Sequence, residues 1–321
     1  LGSRKVDIMN PIATALQSFP VLVLDGAMGT ELAARGADLN DPLWSARVLA
    51  QQPELVRAVH ADYYAAGADV AITASYQATF EGFAALGWSS QQTADVMRLS
   101  VRLATEARDA FWSESQHRQG RPRPLVAASV GPYGAYLADG SEYRGDYGLS
   151  VADLVDFHRP RWAVLADAGA DVLACETIPT LTEARAFLRL LDEFPQVWAW
   201  ISFSARDELH TNYGESITAC AAEIGAHPRV AAVGVNCTPP QYIEGLVRQM
   251  CAATDVPVVV YPNSGEQYDP VSKVWHGDGS CEAFAVDAAG WYRAGARLIG
   301  GCCRTTPAHI QSAAQVLRAA K

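Results

Sequence analysis

Long apolar runs are missing from this chain. No stretch approaches the roughly 18 uninterrupted apolar residues of a membrane span, although half of the residues are apolar. Basic clusters are missing as well. The chain has 25 Lys and Arg against 35 Asp and Glu, a formal net charge of −10, so no basic face is available to displace counterions from phosphates. Nucleic acid and membrane are therefore not expected as partners. The N-terminus has none of the basic, apolar and cleavage regions of a secretory signal, and a cytoplasmic protein is expected. Residues 1–8 read as a vector remnant ahead of a native Met9. No low-complexity linker or charge run divides the rest, which predicts a single domain over residues 9–321. Histidine is sparse, with seven residues and no HExxH or similar ligand spacing, so histidine-bound zinc is the weaker alternative for any metal. Cysteine is odd in number at seven, and a chain of this size can stabilise its core without disulfides, so free or metal-bound thiols are expected.

What is present is a rhythm. Eight short β-branched apolar runs recur: Val21–Asp25, Asp69–Ser75, Leu125–Gly131, Asp171–Thr177, Val197–Ser204, Ala231–Cys237, Pro257–Asn263 and Ala296–Cys302. Each is followed by a segment of helical period, and unbroken βα alternation of this kind predicts an α/β fold, a single (β/α)₈ TIM-type barrel. Three Ala-Gly-Ala marks, at 66–68, 168–170 and 294–296, are placed to close helices just before the second, fourth and eighth runs. Pro53 marks an early helical position, and Leu55, Val56, Val59, Tyr63 and Tyr64 form an apolar face behind it. Two long connections, Pro132–Asp146 and Ser264–Asp278, are rich in Gly and aromatics, and loops that follow strands build the mouth of a barrel.

Three thiols fall at that mouth. Cys237 ends the sixth run, and Gly300-Gly301-Cys302-Cys303 ends the eighth. Alternate strands feed one interior layer, so these ends can reach a common point. Adjacent cysteines can bind one ion only where the backbone bends, and Gly300 and Gly301 are read as permitting that bend. Three thiolates suit Zn²⁺ and leave one tetrahedral position open, the pattern of a catalytic metal, and such an ion turns an incoming substrate thiol into a thiolate. A bare Cys-Cys pair is more often buried packing or a redox pair. Here the glycines, the strand-end placement and Cys237 favour metal. Cys175, Cys220, Cys251 and Cys281 lack such partners and read as structural or incidental.

The chain resembles the homocysteine methyltransferase family of zinc-thiolate barrels, most closely its S-methylmethionine-dependent members. The resemblance rests on Leu24-Asp25-Gly26-Ala27-Met28-Gly29-Thr30, Thr73-Ala74-Ser75-Tyr76, Glu176-Thr177, Gly234-Val235-Asn236-Cys237, Pro262-Asn263-Ser264-Gly265 and the Gly-Gly-Cys-Cys segment. It implies that Cys237, Cys302 and Cys303 ligate one zinc ion, and that Asp25 and Glu176 bind the α-amino group of homocysteine. It also implies that Asn263 lies at or near the fourth metal position, and that Thr73 and Ser75 line the pocket. Physical chemistry agrees in part: two acids at strand ends suit an ammonium group, and Gly26 allows backbone N–H groups to approach a carboxylate. The plainer readings are a cap for Asp25 and a rim ion pair for Glu176.

The implied reaction moves a methyl group from S-methylmethionine or S-adenosylmethionine to homocysteine, giving methionine. A sulfonium leaves as a neutral thioether, which needs no general acid. Tyr133, Tyr136, Tyr143, Tyr147, Tyr261, Tyr268 and Trp275, with Trp44, can offer π-faces to a cationic donor, although for any one of them simple packing is the commoner role. The chain ends soon after the eighth helical segment, without the folate and cobalamin modules or the C-terminal extension of larger relatives, so a monomer or weak dimer is expected. A betaine-type donor, a zinc-dependent hydrolase and a thiol or metal sensor are the alternatives.

Overall fold

The computed structural model describes residues 9–38, 45–265, 267–269, 274–276 and 279–319, with backbone only at 45, 46, 267–269 and 274–276. The expected vector remnant, residues 1–8, and Trp44 lie outside the described residues, as do the side chains of Tyr268 and Trp275. All eight apolar runs form strands: β1 Leu22–Val23, β2 Val70–Ile72, β3 Leu125–Val130, β4 Val172–Ile178, β5 Ala199–Phe203, β6 Val230–Asn236, β7 Val258–Tyr261 and β8 Ala296–Ile299.

Every pairing among them is parallel, in the order β1, β8, β7, β6, β5, β4, β3, β2. The ring closes between β1 and β2 through the Leu24–Val70 bridge and the bond from Asp25 N to Val70 O, 3.0 Å. This is the expected (β/α)₈ barrel. Buried side chains alternate between two cores, as a pleated strand requires. Leu22, Val70, Ala127, Ala174, Trp200, Val259 and Leu298 fill the interior, while Val23, Val126, Leu173, Ile201, Val233, Val260 and Ile299 face the helices. The helix Pro11–Leu16, capped by the Asn10 side chain on Ile12 N and Ala13 N, joins fully buried Ile12 to the interior cluster.

The Ala-Gly-Ala marks close helices as expected: Gly67, Gly169 and Gly295 have φ of 119°, 86° and 127°, which a side chain would oppose. Two of the marks end in aspartate, and each aspartate tends a neighbouring strand. Asp69 Oδ2 accepts from Val23 N at 3.1 Å, and Asp171 Oδ2 from Val126 N at 2.8 Å. Arg121 and Arg318 pair with Asp69, and Arg108 with Asp171. These pairs sit at the N-terminal ends of strands, the end of such barrels that serves stability.

Seven of the predicted strands run too far at their C-terminal ends, the exception being β4, which reaches Ile178. Strand β6 stops at Asn236 and β8 at Ile299, so Cys237, Cys302 and Cys303 lie just beyond the sheet, in irregular backbone that can aim them together. The first long connection holds a short helix, Tyr133–Leu137, and a 3₁₀ turn, Ser141–Tyr143; the second holds an antiparallel hairpin, Gln267–Asp269 with Val274–His276. Among the described residues no helix is long and apolar enough to cross a membrane.

Candidate functional site

The sulfurs of Cys237, Cys302 and Cys303 all lie within 4.8 Å of one another. The backbone brings them there. Cys237 N donates to Tyr261 O at 3.2 Å and Cys302 N to Pro262 O at 2.6 Å, which ties the ends of β6 and β8 to β7 between them. Cys302 and Cys303 sulfurs are 4.0 Å apart, close to the roughly 3.8 Å edge of a tetrahedron with 2.3 Å zinc–sulfur bonds. The sulfurs of Cys237 and Cys302 are closer still, with Cα atoms 5.6 Å apart. The closeness that lets two thiols pair also lets three thiolates share an ion, and the two uses exclude each other. The donor set itself, three sulfurs and no carboxylate, suits a borderline-soft ion such as zinc.

The bend at the double cysteine has a different cause from the one expected. Neither Gly300 nor Gly301 has positive φ; the left-handed residues are Cys237 at 47° and Arg304 at 66°. The glycines are needed for close approach instead. A Cβ on Gly300 would lie 2.5 Å from Leu24 Cβ and 2.7 Å from Asp25 O, and one on Gly301 would strike Thr305. Gly26 is crowded in the same way, by Thr305 Oγ1 at 2.8 Å and Tyr63 Oη at 2.9 Å. These contacts press the double-cysteine loop against the end of β1, where Asp25 stands.

Asp25 and Glu176 are both buried, at 2% and 7% exposure. Asp25 Oδ2 accepts from Ile72 N at 2.8 Å, so the aspartate does fasten β2, but Oδ1 is buried with no partner. Burial raises its pKa well above the usual range, and Glu176 adds to the rise. Glu176 accepts from Ser129 Oγ and Tyr261 Oη, and burial pushes it up to about 7. Among the described residues no cation pairs with either acid. Two buried acids with raised pKa values, Asp25 raised in part by Glu176 and left with an unfilled oxygen, form a site that a cation would relieve.

The position of Glu176 is stored in strained backbone. The β4–β5 register shifts between Cys175 and Ile178, and Thr177 adopts φ 60°, which is rare for a β-branched residue. Asn236 holds it there: its Oδ1 accepts from Thr177 N at 2.6 Å and Ser202 Oγ at 2.8 Å, and its Nδ2 donates to Thr177 Oγ1 at 2.8 Å. The Asn-Cys pair therefore fixes the acid with one residue and supplies a sulfur with the next. Ser129 and Ser202 were not singled out from the sequence; a serine inside an apolar strand run was the one available signal.

Thr73 and Ser75 are buried at the end of β2, but their hydroxyls bond each other at 2.7 Å. Ser75 Oγ also donates to Ser129 O, and Ser129 N donates to Thr73 Oγ1. They support Ser129, which in turn bonds Glu176. Asn263 N donates to Thr238 O, next to Cys237, and its Oδ1 is buried without a partner, as a residue poised for an absent group would be. Tyr261 is no loop aromatic; it ends β7 at 1% exposure, its hydroxyl accepting from Trp200 Nε1 at 3.1 Å and bonding Ser202 at 2.7 Å. Tyr133 packs with Tyr136, Tyr147 and Phe157, at ring separations of 5.8, 5.3 and 4.8 Å. Tyr143 is 44% exposed, and its phenol pKa is raised by desolvation and then by the charge of Cys303.

The sequence profile of the homocysteine S-methyltransferase family matches residues 22–317. The chain is 56% identical over 313 residues to homocysteine S-methyltransferase YbgG of Bacillus subtilis, covering 98% of this chain and 99% of that one. It is 49% identical to a selenocysteine Se-methyltransferase of Brassica oleracea, over 90% of this chain and 87% of that one. Among solved structures, the metallated form of the homocysteine methyltransferase MmuM from Escherichia coli superposes with a TM-score of 0.86 at 48% identity, covering 95% of this chain and 99% of that one.

Proposed function

Because the chain belongs to the homocysteine S-methyltransferase family, we propose that it methylates the thiol of homocysteine from a sulfonium donor, S-methylmethionine or S-adenosylmethionine, giving methionine. The observation that carries this reading is the meeting of three sulfurs with two buried, cation-free acids at one mouth of the barrel. One site suits a thiol and the other an ammonium, the two ends of a thiol amino acid.

Cys237, Cys302 and Cys303 would hold a zinc ion, whose chemistry is to favour the thiolate over the thiol of a substrate at neutral pH. A relative solved in a metallated form supports that assignment. Asp25 Oδ1 and Glu176 take the α-ammonium group, and the bonds from Ile72, Ser129 and Tyr261 hold both carboxylates in place beforehand. Asn263, whose backbone N bonds Thr238 O beside Cys237, has a buried Oδ1 without a partner among the described residues that can accept from the substrate or from water. In the transfer, the homocysteine sulfur bonds the methyl carbon as the carbon–sulfur bond of the donor breaks. The electron pair stays on the donor sulfur as a neutral thioether, and the thiol proton goes to solvent. No general acid is required, and no histidine stands among these residues. The same reading takes the enzyme as a cytoplasmic, single-barrel protein and a monomer or weak dimer, which light scattering checks.

Parallel assays of the reduced, zinc-supplied protein with homocysteine and S-methylmethionine, S-adenosylmethionine or betaine test the proposal. Methionine formed from a sulfonium donor is expected; turnover with betaine alone, or with no donor, would reject it.

A further inference from the structure

A second polar cluster lies behind the loop that follows β3, built by two helices, Val151–Ala166 and Leu181–Glu193. His158 and Glu183 have 0% exposure and Arg161 1%. Glu183 Oε1 accepts from His158 Nε2 at 2.8 Å, and His158 Nδ1 accepts from Arg161 Nε at 3.1 Å. A guanidinium only donates, so Nδ1 carries no proton and Nε2–H points at the carboxylate. The result is a neutral imidazole between a guanidinium and a carboxyl group that burial pushes up to about 7. Removing such groups from water is costly, and well-packed apolar side chains often do as well or better for stability alone.

What the cluster provides is a fixed grip on the loop. Its guanidinium end, Arg161 Nη2, donates to Gly131 O, and its carboxyl end, Glu183 Oε1, accepts from Tyr133 N at 2.6 Å. The two grips fall on either side of Pro132. From there the path to the site is short. Gly131 N donates to Tyr76 O at 3.2 Å, and a Cβ on Gly131 would lie 2.6 Å from that oxygen. On the other side, the helix Tyr133–Leu137 packs through Gly134 onto the Ser141–Tyr143 turn, where an added Cβ would lie 2.5 Å from Ser141 C. That turn ends in Tyr143, whose phenol feels the charge of Cys303.

We propose that Arg161, His158 and Glu183 form a buried positioning relay that holds the Gly131–Tyr143 loop in its donor-binding shape without touching either substrate. The inference rests on the sulfonium-donor reading above. His158→Gln keeps one donor toward Glu183 and one acceptor toward Arg161, whereas His158→Leu keeps neither. We expect His158→Leu to raise the KM for S-methylmethionine about tenfold, with zinc content and the KM for homocysteine within twofold of the parent, and His158→Gln to restore the donor KM. Equal shifts in both KM values, or an unmoved donor KM in folded His158→Leu, would overturn the proposal. Should His158→Leu fail to fold, hydrogen exchange on the parent protein decides. The Tyr133 amide, although in a loop, is expected to exchange as slowly as the amides of β3, and loop-like exchange overturns the grip. A parent without turnover on any sulfonium would defeat the donor reading, while the exchange measurement would still report on the grip.

Discussion

Glu176→Gln is expected to stabilise the ligand-free protein above pH 7 and at the same time to weaken homocysteine binding. Burial moves this carboxyl from 4.5 to about 7. Between those values the folded state holds a proton that the unfolded state has released, so stability declines as pH rises through the window. The loss is complete above pH 7, and at 1.36 kcal/mol per pH unit it reaches about 3 kcal/mol as an upper bound. Glutamine carries no charge to desolvate and keeps an oxygen for Ser129 Oγ. Against this, the charged bond to the ammonium group is lost, about 1.5–3 kcal/mol, or roughly a ten- to hundredfold rise in the KM for homocysteine. Thermal denaturation at pH 8 without substrate reads the first effect, and steady-state kinetics at saturating donor reads the second. A lower melting temperature together with an unchanged KM would refute the reasoning, because Glu176 would then be a structural residue.

In the parent enzyme the KM for homocysteine is expected to rise about tenfold from pH 8 to pH 6, as Glu176 takes up its proton; a flat profile, or one that persists in Glu176→Gln, contradicts this. Asn236→Ala removes the bonds that hold Thr177 at φ 60° and should cost about 2–4 kcal/mol in urea denaturation, with loss of activity in the fraction that folds. Gly300→Ala places a methyl against Leu24 and Asp25 O and should cost about 1–3 kcal/mol, with weaker homocysteine binding because Asp25 is displaced. Cys302→Ser should lose retained zinc and methyl transfer together, read by metal analysis and product formation.

The barrel was legible because strand and helix periods alternate without interruption, and because Gly67, Gly169 and Gly295 stand where left-handed helix ends require them. The three site cysteines and the two acids were legible because each sits within a residue or a few of a strand end. The wiring between strands was not. Ser129 and Ser202 read as ordinary residues of apolar strands, and only the ring of strands shows that they bond Glu176 and Asn236. Gly300 and Gly301 signalled a special backbone, but sequence could not separate conformational freedom from crowding by Leu24 and Thr305. Tyr261 and Tyr133 looked alike as mouth aromatics; one proved to lie inside the barrel and the other against Phe157.

X-ray absorption at the zinc edge, on reduced protein before and after adding homocysteine, tests the central claim most directly. Three sulfur neighbours at about 2.3 Å that become four with homocysteine are the expected result. A metal held by fewer than three sulfurs, or a sulfur count that homocysteine leaves unchanged, would contradict it.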